Sequence, residues 1–205
     1  MSGKLRLNGV DVFTESGGTV TASQLDITSG TFNGTVSGTI GASATFPAGH
    51  VIQVVQSTKK DADSSTSTSY TTITGTDQDG NGSVFSASIT PKQTGSYILI
   101  HTTLHMGSND AYTLMFGIQR DGTILETTSG TSLQSMAMQY SASVTASSHN
   151  MNFQYLDKNA NATAGTAITY RPVMKTNVGT MYVNRISSNA NATNMSTFIL
   201  YEISV

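Results

Sequence analysis

Residues 112–128 read YTLMFGIQRDGTILETT, and this stretch decides the fold. Two β-prone runs flank Asp121-Gly122, a pair suited to the type I′ turn, whose two central residues both need positive φ. The reading is a β-hairpin. Working outward, GSYILIHTTLHM (95–106) is long and nearly continuous in apolar character, as expected of a strand buried on both faces. SVFSASITP (83–91) puts Phe85, Ala87 and Ile89 on one face, and SYTTITGT (69–76) alternates. HVIQVVQS begins the series, entered through Pro47, which is tolerated at a strand start. Downstream, TSLQSMAMQYSASVTA, MNFQYLDK, GTAITYRPVM, GTMYVNRISS and STFILYEISV supply further strands. In the last, Phe198, Leu200 and Glu202 face one way, and Ile199, Tyr201, Ile203 and Val205 the other. Such a strand locks the C-terminus into a sheet. About ten β segments separated by turn residues, with no stretch of helical period, predict an all-β chain whose residues 46–205 form a jelly-roll-like β-sandwich.

Composition agrees. Only 11% of the 205 residues are charged, against about 25% in an average domain. The deficit is filled by Ser, Thr, Gly and Asn, while β-branched and aromatic residues recur at strand spacing, so the chain is not of the disordered class. The net charge of −2 and the lack of any Lys/Arg run argue against nucleic acid as a partner. With no cysteine, disulfides, thiolate chemistry and Cys-ligated zinc are excluded. The opening MSGKLRLNGVDVFTES has no apolar stretch of signal-peptide length, and no run reaches the ~20 residues of a membrane helix. The expectation is synthesis in a cytoplasm, without membrane insertion.

Residues 1–45 differ from the rest. KLRLNGVDVF alternates around an Asn8-Gly9 turn, with Leu5, Leu7, Val10 and Val12 as its apolar positions and Phe13 following. From 17 to 45 the chain is Gly/Ser/Thr-rich, with large apolar residues only at Val20, Leu25, Ile27, Phe32, Val36 and Ile40. One copy of such a segment buries too little surface to offset its ordering entropy. Either three copies wind together around a thin shared core, or the segment is a flexible linker.

Motifs with chemical potential are weak. DQDGNG (77–82) places Asp77, Asp79 and Asn81 at the first, third and fifth positions of a calcium loop, but the twelfth position is Ser88. A plain Asx/Gly turn is the expected reading. His101 and His105 in HTTLH lie roughly 13 Å apart along a strand, too far to share a metal within one chain. NANAT occurs at 159–163 and 189–193, both times in expected loops. A glycan-cleaving enzyme needs two carboxylates roughly 5–9.5 Å apart in a groove. The candidates Asp110, Asp121, Glu126, Asp157 and Glu202 show no such pairing in sequence. No catalytic residue, cofactor or metal site is expected.

The join SGTIGASATFPAGHVIQVVQSTKKDADSSTSTSYTTITG resembles virion structural proteins of tailed phages, marine and cyanobacterial phages in particular. The motifs that carry it are FPAGHV leading into QVV, the Ser/Thr-rich loop, and SITP (88–91) followed by SYILI (96–100). The resemblance implies a tail fibre, or a related fibre-like or capsid-decorating component, that is a homotrimer with a slender N-terminal part and a β-sandwich head. Residues 1–16 would then attach to other virion proteins through Leu5, Leu7, Val10, Val12 and Phe13. Residues 17–45 would form the stalk, and 46–205 the head, facing a host cell-surface glycan or protein. A free lectin or glycan-active enzyme is the reading from a different class.

Overall fold

The computed structural model describes residues 4–7, 10–16, 19–22, 47–75, 84–109, 113–125, 137–140, 148–186 and 189–205. The chain divides into two compact units, Met1–Gly41 and Ala42–Val205. In the first, β1 (Lys4–Leu7), β2 (Val10–Ser16) and β3 (Thr19–Ala22) form an antiparallel sheet in that order. Leu5 lies opposite Phe13, and Leu7 opposite Val10, with a register shift between Leu5 and Arg6.

The second unit is all β among its described residues. Its strands are β4 (Val51–Lys59), β5 (Asp63–Ser65), β6 (Thr71–Thr72), β7 (Ala87–Ile89) and β8 (Tyr97–Ser108). There follow β9 (Thr113–Arg120), β10 (Thr123–Ile124), β11 (Ala137–Tyr140), β12 (Ser148–Asp157) and β13 (Ile168–Thr176). The series ends with β14 (Met181–Val183), β15 (Arg185–Ile186), β16 (Asn189–Thr193) and β17 (Ser196–Ile203).

In one sheet, here sheet I, β4 pairs with β17, β17 with β8, and β8 with β12 along its other edge. Short β14 and β5 continue this sheet beyond the end of β17. In sheet II, β7 and β6 both pair with β13, β13 with β9, and β9 with β11 and β10. Taking β4, β6/β7, β8, β9, β11, β12, β13 and β17 as positions 1 to 8, sheet I runs 1-8-3-6 and sheet II runs 2-7-4-5. That order, antiparallel throughout, is the jelly roll.

The hairpin that anchored the sequence reading joins β9 to β10 at the edge of sheet II. Asp121 and Gly122 have φ of 46° and 88°, as a type I′ turn requires, and Thr123 returns opposite Arg120. Gly122→Ala forces a Cβ into the left-handed region and should cost about 1 kcal/mol in denaturant unfolding.

The core forms where the alternating inward residues of the two sheets meet. Sheet I contributes Ile98, Ile100, Leu104, Met106, Phe198 and Leu200; sheet II contributes Ile89, Leu114, Phe116, Ile118, Ile168, Tyr170 and Met174. Two edge-to-face ring pairs cross between the layers, Phe85–Phe198 at 6.2 Å and Phe116–Phe153 at 5.9 Å. Phe85, Ala87 and Ile89 are all buried, as their shared face predicts. The C-terminus is held in place by paired backbone bonds: Ser204 N donates to His50 O and Gly49 N to Ser204 O.

Two expectations are corrected. The 95–106 strand is not buried on both faces: its inward residues are sealed, whereas Tyr97, Leu99, His101 and Thr103 are half-exposed. With Tyr97 and Leu99 on the outer face beside Ile98 and Ile100 on the inner one, the run YILI looks, in sequence, like burial on both sides. The second NANAT copy is no loop. It is β16, paired with β15, while the first copy (159–163) is the expected loop, with Asn161 at a φ of 49°.

Candidate functional site

Of the N-terminal attachment candidates, Leu5 and Leu7 lie on β1, and Val10, Val12 and Phe13 on β2. Val20 lies on β3, opposite Glu15. Leu25, Ile27, Phe32, Val36 and Ile40 lie outside the described residues, as do Asp77, Asp79, Asn81, Asp110 and Glu126.

The remaining acids are set apart by their surroundings. Asp121 sits in the hairpin turn, where its carboxylate accepts from Thr169 N. Asp157 and Glu202 share one row of sheet I, since each lies opposite Ile98. Two strand spacings put their backbones about 10 Å apart. Both point inward, with Ile98 between them, and each is saturated by donors of its own. Asp157 accepts from Arg120 Nη1 at 2.6 Å, Tyr170 OH at 2.9 Å and Asn159 N at 3.1 Å, tying the two sheets together. Burial, reinforced by the Asp157 carboxylate, holds the Tyr170 phenol above its ordinary range. Burial alone would lower the Arg120 guanidinium; the Asp157 hydrogen bond and charge together outweigh it and hold the group above its usual value. Such a cluster braces a fold. It offers no water-filled gap between two carboxylates.

A third polar cluster left no mark in the sequence. Lys59 is wholly buried, yet its ammonium pairs with Asp61 Oδ1 at 2.6 Å and donates to Thr74 O. The same strand end is held by Asn184, whose side-chain amide donates to Lys59 O and Asp61 O at 2.9 and 3.1 Å. Asn184 itself has a φ of 59°. Gly75, at φ 140°, makes room for this arrangement: a Cβ there would come 1.9 Å from Lys59 Nζ and 2.5 Å from Asp61 Oδ1. A Cβ at this φ is strained and must displace the ammonium of a fully buried lysine from its partners, so Gly75→Ala should lower stability by about 2–3 kcal/mol in urea unfolding.

Among the described residues, no three His, Asp or Glu side chains gather as a metal set would require. His101 and His105 both lie on the outer face of β8, and Ser88 lies on β7, bonded to Thr169 Oγ1 at 2.8 Å.

The outer faces of the two sheets differ. Over sheet II, Tyr70 lies across Gly117, where a Cβ would meet its ring at 3.1 Å, and Lys175 Nζ stands 4.6 Å from the ring centroid. Burial pushes the Tyr70 phenol up to about 12. Met115 and Val173, which face outward from sheet II, are each 1% exposed. Over sheet I the described residues provide no such cover. The register places Val54, Tyr201, Leu99 and Leu156 in one row across four strands, flanked by Val51, Ile203 and Tyr97 on one side and Gln56, Ile199, His101 and Gln154 on the other. Val51 and Val54 are 51% and 54% exposed, and Tyr97, Leu99, Ile199, Tyr201 and Ile203 are half-buried. The sequence carried a signal for this face: in both VIQVV and STFILYEISV, large apolar residues occupy the outward positions as well as the inward ones.

No protein-family model and no curated protein matches the sequence. Among solved structures, the fold is similar to a chain of the T13 IBDV viral particle, at 17% identity and a TM-score of 0.39 over 82% of this chain and 40% of that one. A chain of the infectious bursal disease virus Gx strain shows 17% identity and a TM-score of 0.38, over 75% of this chain and 37% of that one. The chain thus spans about two fifths of the length of these viral chains, and at these scores the likeness carries no argument about function.

Proposed function

We propose that the chain is a virion structural protein of tail-fibre type, assembled as a homotrimer. The observation that carries this reading is the jelly roll itself, an architecture recurrent in viral shell and lectin domains, here built from strands with few charges. The sequence resemblance to tailed-phage virion proteins supports the same reading. Residues 1–16 dock to other virion proteins, with Leu5, Leu7, Val10, Val12 and Phe13 as the contacts. Residues 17–45 of three chains wind around a common axis, with Val20, Leu25, Ile27, Phe32, Val36 and Ile40 as their shared core. The head presents its loops to a host-surface glycan or protein. A capsid-decorating component would share the fold and the trimer and differ in where residues 1–16 dock.

The test has two parts. Light scattering on the full chain should give three times the monomer mass, and the assembly should survive unheated SDS; a monomer overturns the fibre reading. Antibodies against the chain should then label phage tails in electron micrographs. Label on the capsid would favour decoration, and particles without label would overturn both.

A further inference from the structure

We propose that the outer face of sheet I is the surface through which copies of this chain pack against one another in the head. The inference rests on the homotrimer reading for its stoichiometry. Its physical basis is the row Val54–Tyr201–Leu99–Leu156 with its neighbours Val51, Ile203 and Ile199.

Two observations choose a second copy as the occupant. First, none of the residues in the three rows is Asp, Glu, Lys or Arg. Copies related by a rotation axis therefore meet without like-charge repulsion, whereas a strongly charged partner would find nothing to pair with. Second, among the described residues β4 pairs only with β17. From Val51 to Thr58 this edge has no Lys, Pro or acid to discourage strand addition. A closed ring of copies is the arrangement that shelters such an edge without running on into a fibril.

Four strands by three rows cover on the order of 400 Å². That is about half the area each partner gives to a standard stable interface. In a three-fold ring each head meets two neighbours, and the open β4 edge is available to a neighbour as well.

The experiment exploits the absence of cysteine. Val54→Cys and Val178→Cys are made in the full chain as single thiols. In the isolated chain the two valines are 54% and 50% exposed, so a maleimide should label them at the same rate. Val178 lies in the turn after β13, away from the sheet I face. In the assembled protein the thiol at position 54 should react roughly tenfold or more slowly than that at 178, since only an accessible thiolate is a nucleophile. In denaturant the two rates should converge. Equal rates in a chain that light scattering finds trimeric would overturn this face while leaving the homotrimer intact. A monomer with equal rates would overturn the homotrimer reading and this inference with it. Slow labelling in a monomer would assign the cover to another part of the same chain, and would also overturn the inference.

Discussion

Glu202→Ala should destabilise the protein by about 3–5 kcal/mol, the largest loss expected from any single polar substitution in the head. The carboxylate is fully buried at the end of β17. It accepts from Lys92 N at 2.9 and 3.0 Å, Gln93 N at 2.9 Å, Ser96 Oγ at 2.8 Å and Gln53 Nε2 at 2.7 Å. These four donors belong to the turn before β8 and to β4, so one side chain fixes the entry of the central strand against the last strand. Alanine removes the acceptor from all of them at once. Two are backbone amides with no other geometry to adopt while the turn keeps its shape. The conservative variant Glu202→Gln retains the volume but points an NH₂ group at donors that need an acceptor, and should cost about 2–3 kcal/mol. Chemical denaturation of the two variants and the parent, at matched slope, measures both values. A loss under 1 kcal/mol for the alanine variant would mean that the turn satisfies its amides elsewhere.

Phe198→Ala should cost about 3–5 kcal/mol by the same measurement, from a different cause. The ring has no exposed surface, lies on β17 between Ser57 of β4 and Thr102 of β8, and meets the edge of Phe85 across the interior. Both neighbours on its own sheet are small, so neither can move into the space the ring vacates, and Phe85 loses its partner. Phe198→Leu restores most of the volume and should recover more than half of the loss. If alanine and leucine were equally damaging, ring geometry rather than volume would be the cause.

Much of this was legible from residue order. The 112–128 hairpin is written in Asp121-Gly122, because few residue pairs accept positive φ twice in succession. The alternation of Phe198, Leu200 and Glu202 against Ile199, Tyr201 and Ile203 is borne out residue by residue, because the strand period of two is a covalent property of the backbone. The reading of 95–106 missed for a related reason. Period-two analysis reports what each face is made of, and an apolar outer face reads the same whether or not anything lies over it. The second NANAT copy failed otherwise: its residues have weak strand propensity, and it is a strand because β15 offers it a ladder.

The polar clusters mark the boundary between the two kinds of information. Nothing local distinguishes Glu202, Asp157 and Lys59 from surface charges; Lys59 and Asp157 even stand next to the exposed Lys60 and Lys158. What made them interior groups is the pairing of segments remote in sequence: Glu202 with residues 92–96, Asp157 with Arg120 and Tyr170, and Lys59 with Thr74 and the Asn184 turn. The sequence by itself determined that the chain is β, where its strands alternate and where its tightest hairpin turns, because these follow from steric limits acting over a few residues. The tertiary structure alone decided the 1-8-3-6 and 2-7-4-5 strand order, which charges are buried and satisfied, and which sheet face is left open. Those depend on hydrogen bonds and contacts between distant segments, whose partners exist only once the two sheets have closed.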